Sequence, residues 1–366
     1  MRIEVEKNLR FRNQSKPIRS EDVSKKIKSK KAHKSLESAE LDLNILVPFK
    51  NDVQAEILNM RNNRLTVKIR NFEVGKHVFP PSSKLKGIPM IKKLSKTLES
   101  SPHIPEHLDL QPLPKKLPNT LQVPPFHRGT ALLDDKFGNQ ATTIFPPDNR
   151  MVFFDTSYPW SAFGRVDTPL GWGSGVMTGP RHLLTVSHVI QWNNNNTTGW
   201  IRFRPAFFSP SAPFGDAWGV LTYFKVKVVG PTIDWIEGMS DYVCVVLDRY
   251  LGNLTGWVGA KGYTDAWDGT PYWSHIGYPG DLTAGNRPTF QSSISLDGTW
   301  WQPDSGESMS HRGDVWPGQS GGALFGWWSN GPHAVSVQSA HNASENLASG
   351  GQDMVDLIIR ARKDNP

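Results

Sequence analysis

From about Thr143 onward the chain sustains no long apolar period of 3.6 residues until its C-terminal end; short apolar or alternating runs are instead cut at close intervals by Gly, Pro and Asn. Runs of this length, bounded by turn residues, satisfy their backbone by pairing as strands. The stretch "SGVMTGPRHLLTVSHVI" (174 to 190) reads as strand, tight turn at "GPRH", then strand. "LTYFKVKVV" (221 to 229) alternates, with Thr222, Phe224, Val226 and Val228 on one face and Tyr223, Lys225 and Lys227 on the other, as in a half-buried strand. "YVCVVL" (242 to 247) is apolar throughout and is expected to be buried on both faces. Only "DMVDLIIRARK" (353 to 363) has a helical stripe, Met354, Leu357, Ile358 and Ala361, and it ends in a basic turn. The body is therefore expected to be all-β, a barrel or sandwich, closed by one C-terminal helix.

Composition separates this body from what precedes it. All 14 tryptophans lie between Trp160 and Trp328. Residues 1 to 100 hold 23 Lys+Arg against 11 Asp+Glu, a local net of +12; the whole chain stands at +7, so residues 101 to 366 carry −5. The lysine-rich run "SKKIKSKKAHKSLESAE" (24 to 40) comes with no nucleic-acid module and no interleaved aromatics, so it reads as a solvated leader, and no nucleic-acid partner is expected. Within it, "NRLTVKIRNFEV" (63 to 74) alternates enough for a small β element. The proline-punctuated stretch 104 to 129 reads as an extended linker. The expected organisation is a leader over 1 to 103, a linker over 104 to 143 and a body over 144 to 366.

The single cysteine, Cys244, excludes an intramolecular disulfide and any thiolate metal site. With no H-E-x-x-H and no Walker-type loop, no metal or cofactor is expected. No stretch approaches the roughly 18 apolar residues of a membrane-spanning helix, and no membrane partner is expected. Asn195, Asn196, Asn253 and Asn342 are each followed by x-Ser/Thr, the glycosylation tripeptide, while the N-terminus lacks the apolar run of a secretory signal.

Chemistry concentrates at "GQSGGALF" (318 to 325). A serine among glycines is either a nucleophile on a strained turn or part of a flexible loop, and the pattern alone does not separate the two. A serine nucleophile needs an imidazole to take its proton and a buried carboxylate to orient that imidazole. Of the six histidines of the body, His182, His188, His275, His311, His333 and His341, His188 ends the apolar run "LLTVSHVI", where a rigid element hands over to a loop. Asp241 leads directly into "YVCVVL", where a carboxylate needs a hydrogen-bond donor such as an imidazole N–H; Asp234 and Glu237 are its rivals. A structural histidine and a strand-start aspartate are the plainer readings. Chain order separates the hydrolase classes: no Asp or Glu lies between Ser320 and His341, so the order serine, acid, histidine is not available. The order here is His188, Asp241, Ser320.

With "LLTVSHV", "DYVCVVL", "GYPGD" (277 to 281), "GQSGGALF" and the lead "IFPPDNRMVFFDTSYPW" (144 to 160) in this order, the chain resembles the chymotrypsin-like serine peptidases, and within them the glutamyl endopeptidase group, over about residues 144 to 366. The resemblance implies two six-stranded antiparallel β-barrels with a cleft between them, His188 and Asp241 coming from the first and Ser320 from the second. It implies an endopeptidase that acts through an acyl-enzyme on a polypeptide substrate, with the N–H groups of Gly318 and Ser320 as oxyanion hole. It also implies a secreted monomer, although this chain shows no signal peptide, whose basic leader is a propeptide cut between Pro124 and Thr143. Three points strain it. Gln319 stands where the trypsin-like branch carries an aspartate that pairs with a new N-terminus. Gln338 stands where glutamate-specific members carry a histidine, with His333 and His341 displaced. Asp314 occupies the place of a basic-residue-binding aspartate, or of a structural one. Asp314, Gln338 and His341 are the candidate substrate-binding residues. The alternative function is a catalytically silent binding module on the same fold, for protein or, given the tryptophans, carbohydrate.

Overall fold

The computed structural model describes residues 15–32, 54–61, 64–70, 84–90, 99–117, 144–230, 232–302, 306–341 and 344–366. Two compact units result, one formed by 35–81 and the other by the rest of the chain. In the smaller, β1 (Gln54–Arg61) and β2 (Arg64–Arg70) pair antiparallel, so the alternating pattern around residue 65 is a strand as expected; the rest of that reading, 63 and 71 to 74, lies outside the described residues.

The larger unit carries β3 (Leu85–Pro89), β4 (Met151–Val152), β5 (Phe163–Thr168), β6 (Gly171–Gly179), β7 (His182–Thr185), β8 (Trp192–Asn193), β9 (Thr197–Thr198), β10 (Arg202–Pro205), β11 (Ala217–Phe224) and β12 (Val243–Leu247). It continues through β13 (Gly259–Ala260), β14 (Trp273–Gly277), β15 (Thr289–Ile294), β16 (Leu296–Gln302), β17 (Gly306–His311), β18 (Ala323–Trp328), β19 (Gly331–His341) and β20 (Asn346–Gly350), and ends in the helix Gln352–Asp364. Strands β10, β5, β6, β7, β12 and β11 pair in that order, and β10 pairs back to β11, so six strands close a first barrel. A second path runs β16-β17-β20-β19-β18-β14-β15-β4, with β13 beside β19. The molecule is thus mostly β and chymotrypsin-like in plan, as expected, with a closed six-stranded barrel, a second half-barrel and a C-terminal helix. One residue, Ser295, separates β15 from β16. That is too short for the two-residue turn a hairpin requires, so β15 runs on into β16 through a bend instead of pairing with it.

The expected strand 221–229 is displaced: β11 starts at Ala217 and stops at Phe224. Its Tyr223, placed by alternation on the polar face, is buried, because the C-terminal helix covers that face: the Tyr223 hydroxyl donates to Asp364 and accepts from Asn365 Nδ2. The helix buries Met354, Leu357, Ile358 and Ala361 as its stripe required, and β12 is buried along its whole length. On β12 the thiol of Cys244 is held protonated by burial, its pKa pushed up to about 12.

Parts of the leader and linker belong to this larger unit. Strand β3 runs parallel to β11, with Leu85 buried; Val23 is also in the core. Single bridges tie Ile18 to Trp327, Ser100 to Ala260, His103 to Trp257, Leu110 to Lys30 and Tyr158, and Lys116 to Phe153. Residues 118–143, the remainder of the linker, lie outside the described residues. No described helix is long and apolar enough to cross a membrane.

Candidate active site

Strand β7 stops at Thr185, earlier than its apolar run suggested, and the chain enters a turn carrying Ser187 and His188. Ser187 holds this turn. Its Oγ donates to Val226 O at 3.1 Å and accepts from Val228 N–H at 2.9 Å, while Trp192 Nε1 donates to both Ser187 oxygens. The His188 side chain is 15% exposed. Its Nδ1 lies 2.6 Å from Asp241 Oδ2, and its backbone N–H donates to Asp241 Oδ1 at 2.9 Å. Asp241 is fully buried, between the short helix Trp235–Gly238 and β12, and Ser339 Oγ donates to its Oδ2 at 2.6 Å. Three donors thus replace the water that burial removes. With Nδ1–H given to the carboxylate, Nε2 is the ring nitrogen left to accept a proton. The rival Asp234 caps the short helix at Ile236 N–H, and both it and Glu237 are exposed.

The loop that carries Ser320, the candidate nucleophile, is set by two glycines. Gly318 has φ +98° and a Cβ there would stand 2.4 Å from Tyr278 O; Gly321 has φ +83° and a Cβ would stand 2.2 Å from Ser174 O. Both positions therefore exclude side chains twice over, by conformation and by space. Within the second sheet, Gly321 N–H donates to Gln338 O and Gln338 N–H to Gly322 O, each at 2.8 Å. From the first barrel, Ser174 of β6 reaches across: its N–H donates to Ser320 O at 2.7 Å, and its Oγ donates to Gly318 O at 2.8 Å while accepting from Tyr278 N–H. Between these ties, the N–H groups of Gly318 and Ser320 donate to no protein acceptor among the described residues.

Half-buried Ser320 lies beside the turn that carries His188. A Cβ on Gly173 would touch both Ser320 O at 2.9 Å and Val189 Cγ1 at 3.0 Å, and one on Gly321 would lie 3.1 Å from Val186 N. No hydrogen bond joins Ser320 Oγ to His188 among the described residues; such contacts are commonly long before substrate binds.

The three candidate specificity residues fall differently. The carboxylate of Asp314 accepts from Phe145 and Asn149 N–H, each at 2.8 Å, and from Gln291 Nε2 at 3.1 Å, so it is occupied in anchoring the segment before β4. Burial raises its pKa from the ordinary carboxylate value. The Gln338 amide is likewise engaged, accepting from His311 Nε2 at 2.8 Å and donating to Ala340 O. His341 is half-buried at the end of β19. The other four histidines of the body are buried and neutral: desolvation pushes His275 and His333 down to about 3 and His182 and His311 to about 4. Ser174, Ser339 and Arg150, which hydrogen-bond to Gly318, Asp241 and Gln319, are partners of the candidate site that sequence reasoning missed. Ser174 and Arg150 lie inside quoted motifs, but nothing in their spacing announces a partner.

Among the described residues, no three His, Cys, Asp or Glu side chains gather as a metal site would need. A cavity of about 860 Å³ opens on the second sheet beside Ser293, Ser310, Arg312 and Glu345, and none of His188, Asp241 and Ser320 lines it. None of the described tryptophan side chains is exposed. Trp267, Trp273 and Trp328 pack on one another inside the second half-barrel.

No family model matches the chain. Over 187 residues it is 27% identical to the glutamyl endopeptidase of Bacillus licheniformis, an overlap of 50% of this chain and 54% of that one, so the chain spans about half the length of the curated relative it matches. Among solved structures, it is similar to a Glu endopeptidase in complex with MPD, at TM-score 0.48 and 19% identity, over 60% of this chain and 100% of that one. It is also similar to the protease Anisep from Arthrobacter nicotinovorans, at TM-score 0.40 and 18% identity, over 54% and 92%. The curated relative agrees with the resemblance read from the sequence, to a chymotrypsin-like peptidase close to the glutamyl endopeptidases.

Proposed function

We propose that this chain is a serine endopeptidase in which Ser320 attacks a peptide carbonyl, His188 takes its proton, and Asp241 holds the imidazole. The observation that carries the reading is the buried Asp241 carboxylate. It accepts from both Nδ1 and the backbone N–H of His188, which fixes the ring and leaves Nε2 as the base. As charge grows on the carbonyl oxygen, the uncommitted N–H groups of Gly318 and Ser320 would receive it. Collapse of the tetrahedral adduct expels the amine, protonated by His188, and leaves an acyl-Ser320 ester that water then cleaves by the same relay.

The relative's name makes an acidic side chain the first substrate preference to try, although Gln338 already spends its amide on His311. Processing in the stretch from Pro124 to Thr143 belongs to this reading, with export and action as a monomer. Such a cut would leave the described leader segments seated on the larger unit through β3 and the single bridges. A fluorophosphonate probe tests the core of the proposal. It should form a phosphonyl ester on Ser320 alone, displacing fluoride, and the reaction should vanish in Ser320→Ala. Unlabelled wild-type protein would favour the silent binding module instead.

A further inference from the structure

Beneath the nucleophile loop lies a cation that neither acid nor base explains. The Arg150 side chain is 1% exposed, yet every guanidinium N–H is used. Nε and Nη2 donate to the two Asp148 oxygens at 3.0 and 2.7 Å, and Nη1 and Nη2 to the two Asp281 oxygens at 3.1 and 2.6 Å. The remaining Nη1–H donates to Gln319 Oε1, the residue before Ser320, at 2.9 Å. Burial opposes the charge, but the two carboxylates outweigh it and hold the pKa above the ordinary arginine value. Gln319 is itself 1% exposed. Its Oε1 also accepts from Trp316 N–H at 2.9 Å, and its Nε2 lies 3.3 Å from Nδ1 of the neutral His275.

We infer that Arg150 is the positioning residue of the nucleophile loop: its buried guanidinium, through Gln319, holds the turn from Trp316 to Gly322 in the intact chain, so the loop does not wait for a new N-terminus. The inference rests on the peptidase reading of Ser320. Charge explains why position 319 is a glutamine. Two carboxylates already face one guanidinium, and a third acid at 319 would leave a buried excess of negative charge. An amide can accept from Arg150 and donate to His275 at once, which a carboxylate cannot. Lysine could not replace Arg150 fully, because three ammonium donors on one centre cannot reproduce two bidentate carboxylate contacts and an amide contact. The neighbouring anchor works in the same direction: Asp314 pins Phe145 and Asn149, which fixes the approach of Arg150 from upstream.

The test uses the full chain, shown by mass to be uncut, and reads fluorophosphonate labelling rate together with kcat and KM on a fluorogenic peptide. The probe is small, so it reports whether the loop is built even where a leader shields the cleft from a peptide. Uncut wild-type protein should label at the rate of protein cut between Pro124 and Thr143. Gln319→Leu leaves Arg150 its two carboxylates, and should lower labelling and kcat by about 100-fold with KM held within about 3-fold. Arg150→Lys should recover part of what Arg150→Gln loses, and Arg150→Gln combined with Gln319→Leu should label no more slowly than the worse single variant. Labelling that appears only after cutting, or a Gln319→Leu protein that labels at the wild-type rate, would overturn the inference. Wild-type protein that labels in neither form would overturn the peptidase reading, and this inference with it.

Discussion

The two barrels hold their halves of the site by different physics. In the first, the candidate acid–base pair belongs to a barrel with a largely aliphatic interior, where Val166, Val176, Leu183, Leu184 and the strand Val243–Leu247 are buried, and Asp241 accepts twice from His188 and once from Ser339 of the second sheet. In the second, the core is rich in aromatic rings, and the candidate nucleophile loop rests on buried polar groups, Arg150, Gln319 and His275 on one side and His311 and Gln338 on the other. A base must keep one ring orientation, which apolar packing and one carboxylate supply. A loop with glycines at positive φ has no packing of its own, so directed hydrogen bonds must define it.

If that contrast is right, damage to the first half should remove chemistry and damage to the second should remove geometry. The largest effects belong to the acid–base pair. Asp241→Asn should cost about 10⁴ in turnover by favouring the wrong tautomer, with little change in thermal stability. His188→Ala and Ser320→Ala should each abolish turnover, and the double variant should be little worse than either, because the groups act as a unit. Steady-state kinetics decide it; additive losses, or Asp234→Asn matching Asp241→Asn, would break the assignment.

Acid should discriminate the halves next. His275, His311 and His333 lie in the second sheet and His182 in the first, each with its pKa lowered by burial. The unfolded chain takes up these protons as pH falls through about 6.5, and the folded chain does not until about 3 to 4. Their stabilisation is therefore complete above that range and is lost at up to about 1.4 kcal/mol per pH unit for each histidine as pH drops. Hydrogen exchange at pH 5 should open β14, β17 and β19 before β5 to β7; the reverse order would contradict the comparison.

The smallest effect tests the bridge between halves. Ser174→Ala strands Gly318 O and Tyr278 N–H, a penalty of about 1 to 3 kcal/mol. Because those groups shape the loop, kcat should fall about 10-fold, and the apparent melting temperature should drop by a few degrees. An unchanged kcat would mean that the second half positions Ser320 without help from the first.

Much of this was legible in the chain. Strands β6, β7 and β12 and the C-terminal helix follow from apolar period and turn chemistry, which act over a few residues, and the order His188, Asp241, Ser320 is by itself enough to exclude a hydrolase class. Gly318 and Gly321 were legible as special backbone, though not as collisions with Tyr278 and Ser174. Tertiary structure alone decided the rest: that Ser339 supports Asp241 from 98 residues away, that Ser174 crosses 144 residues to Gly318, and that Arg150 reaches Gln319 across 169. It also buried Tyr223 under a helix and turned Asp314 from a candidate substrate contact toward an anchor for Phe145 and Asn149. Periodicity records which face of an element is buried. Which distant donor meets which acceptor depends on strand register, twist and the joining of two barrels, and these are properties of the assembled sheets rather than of any local run of residues.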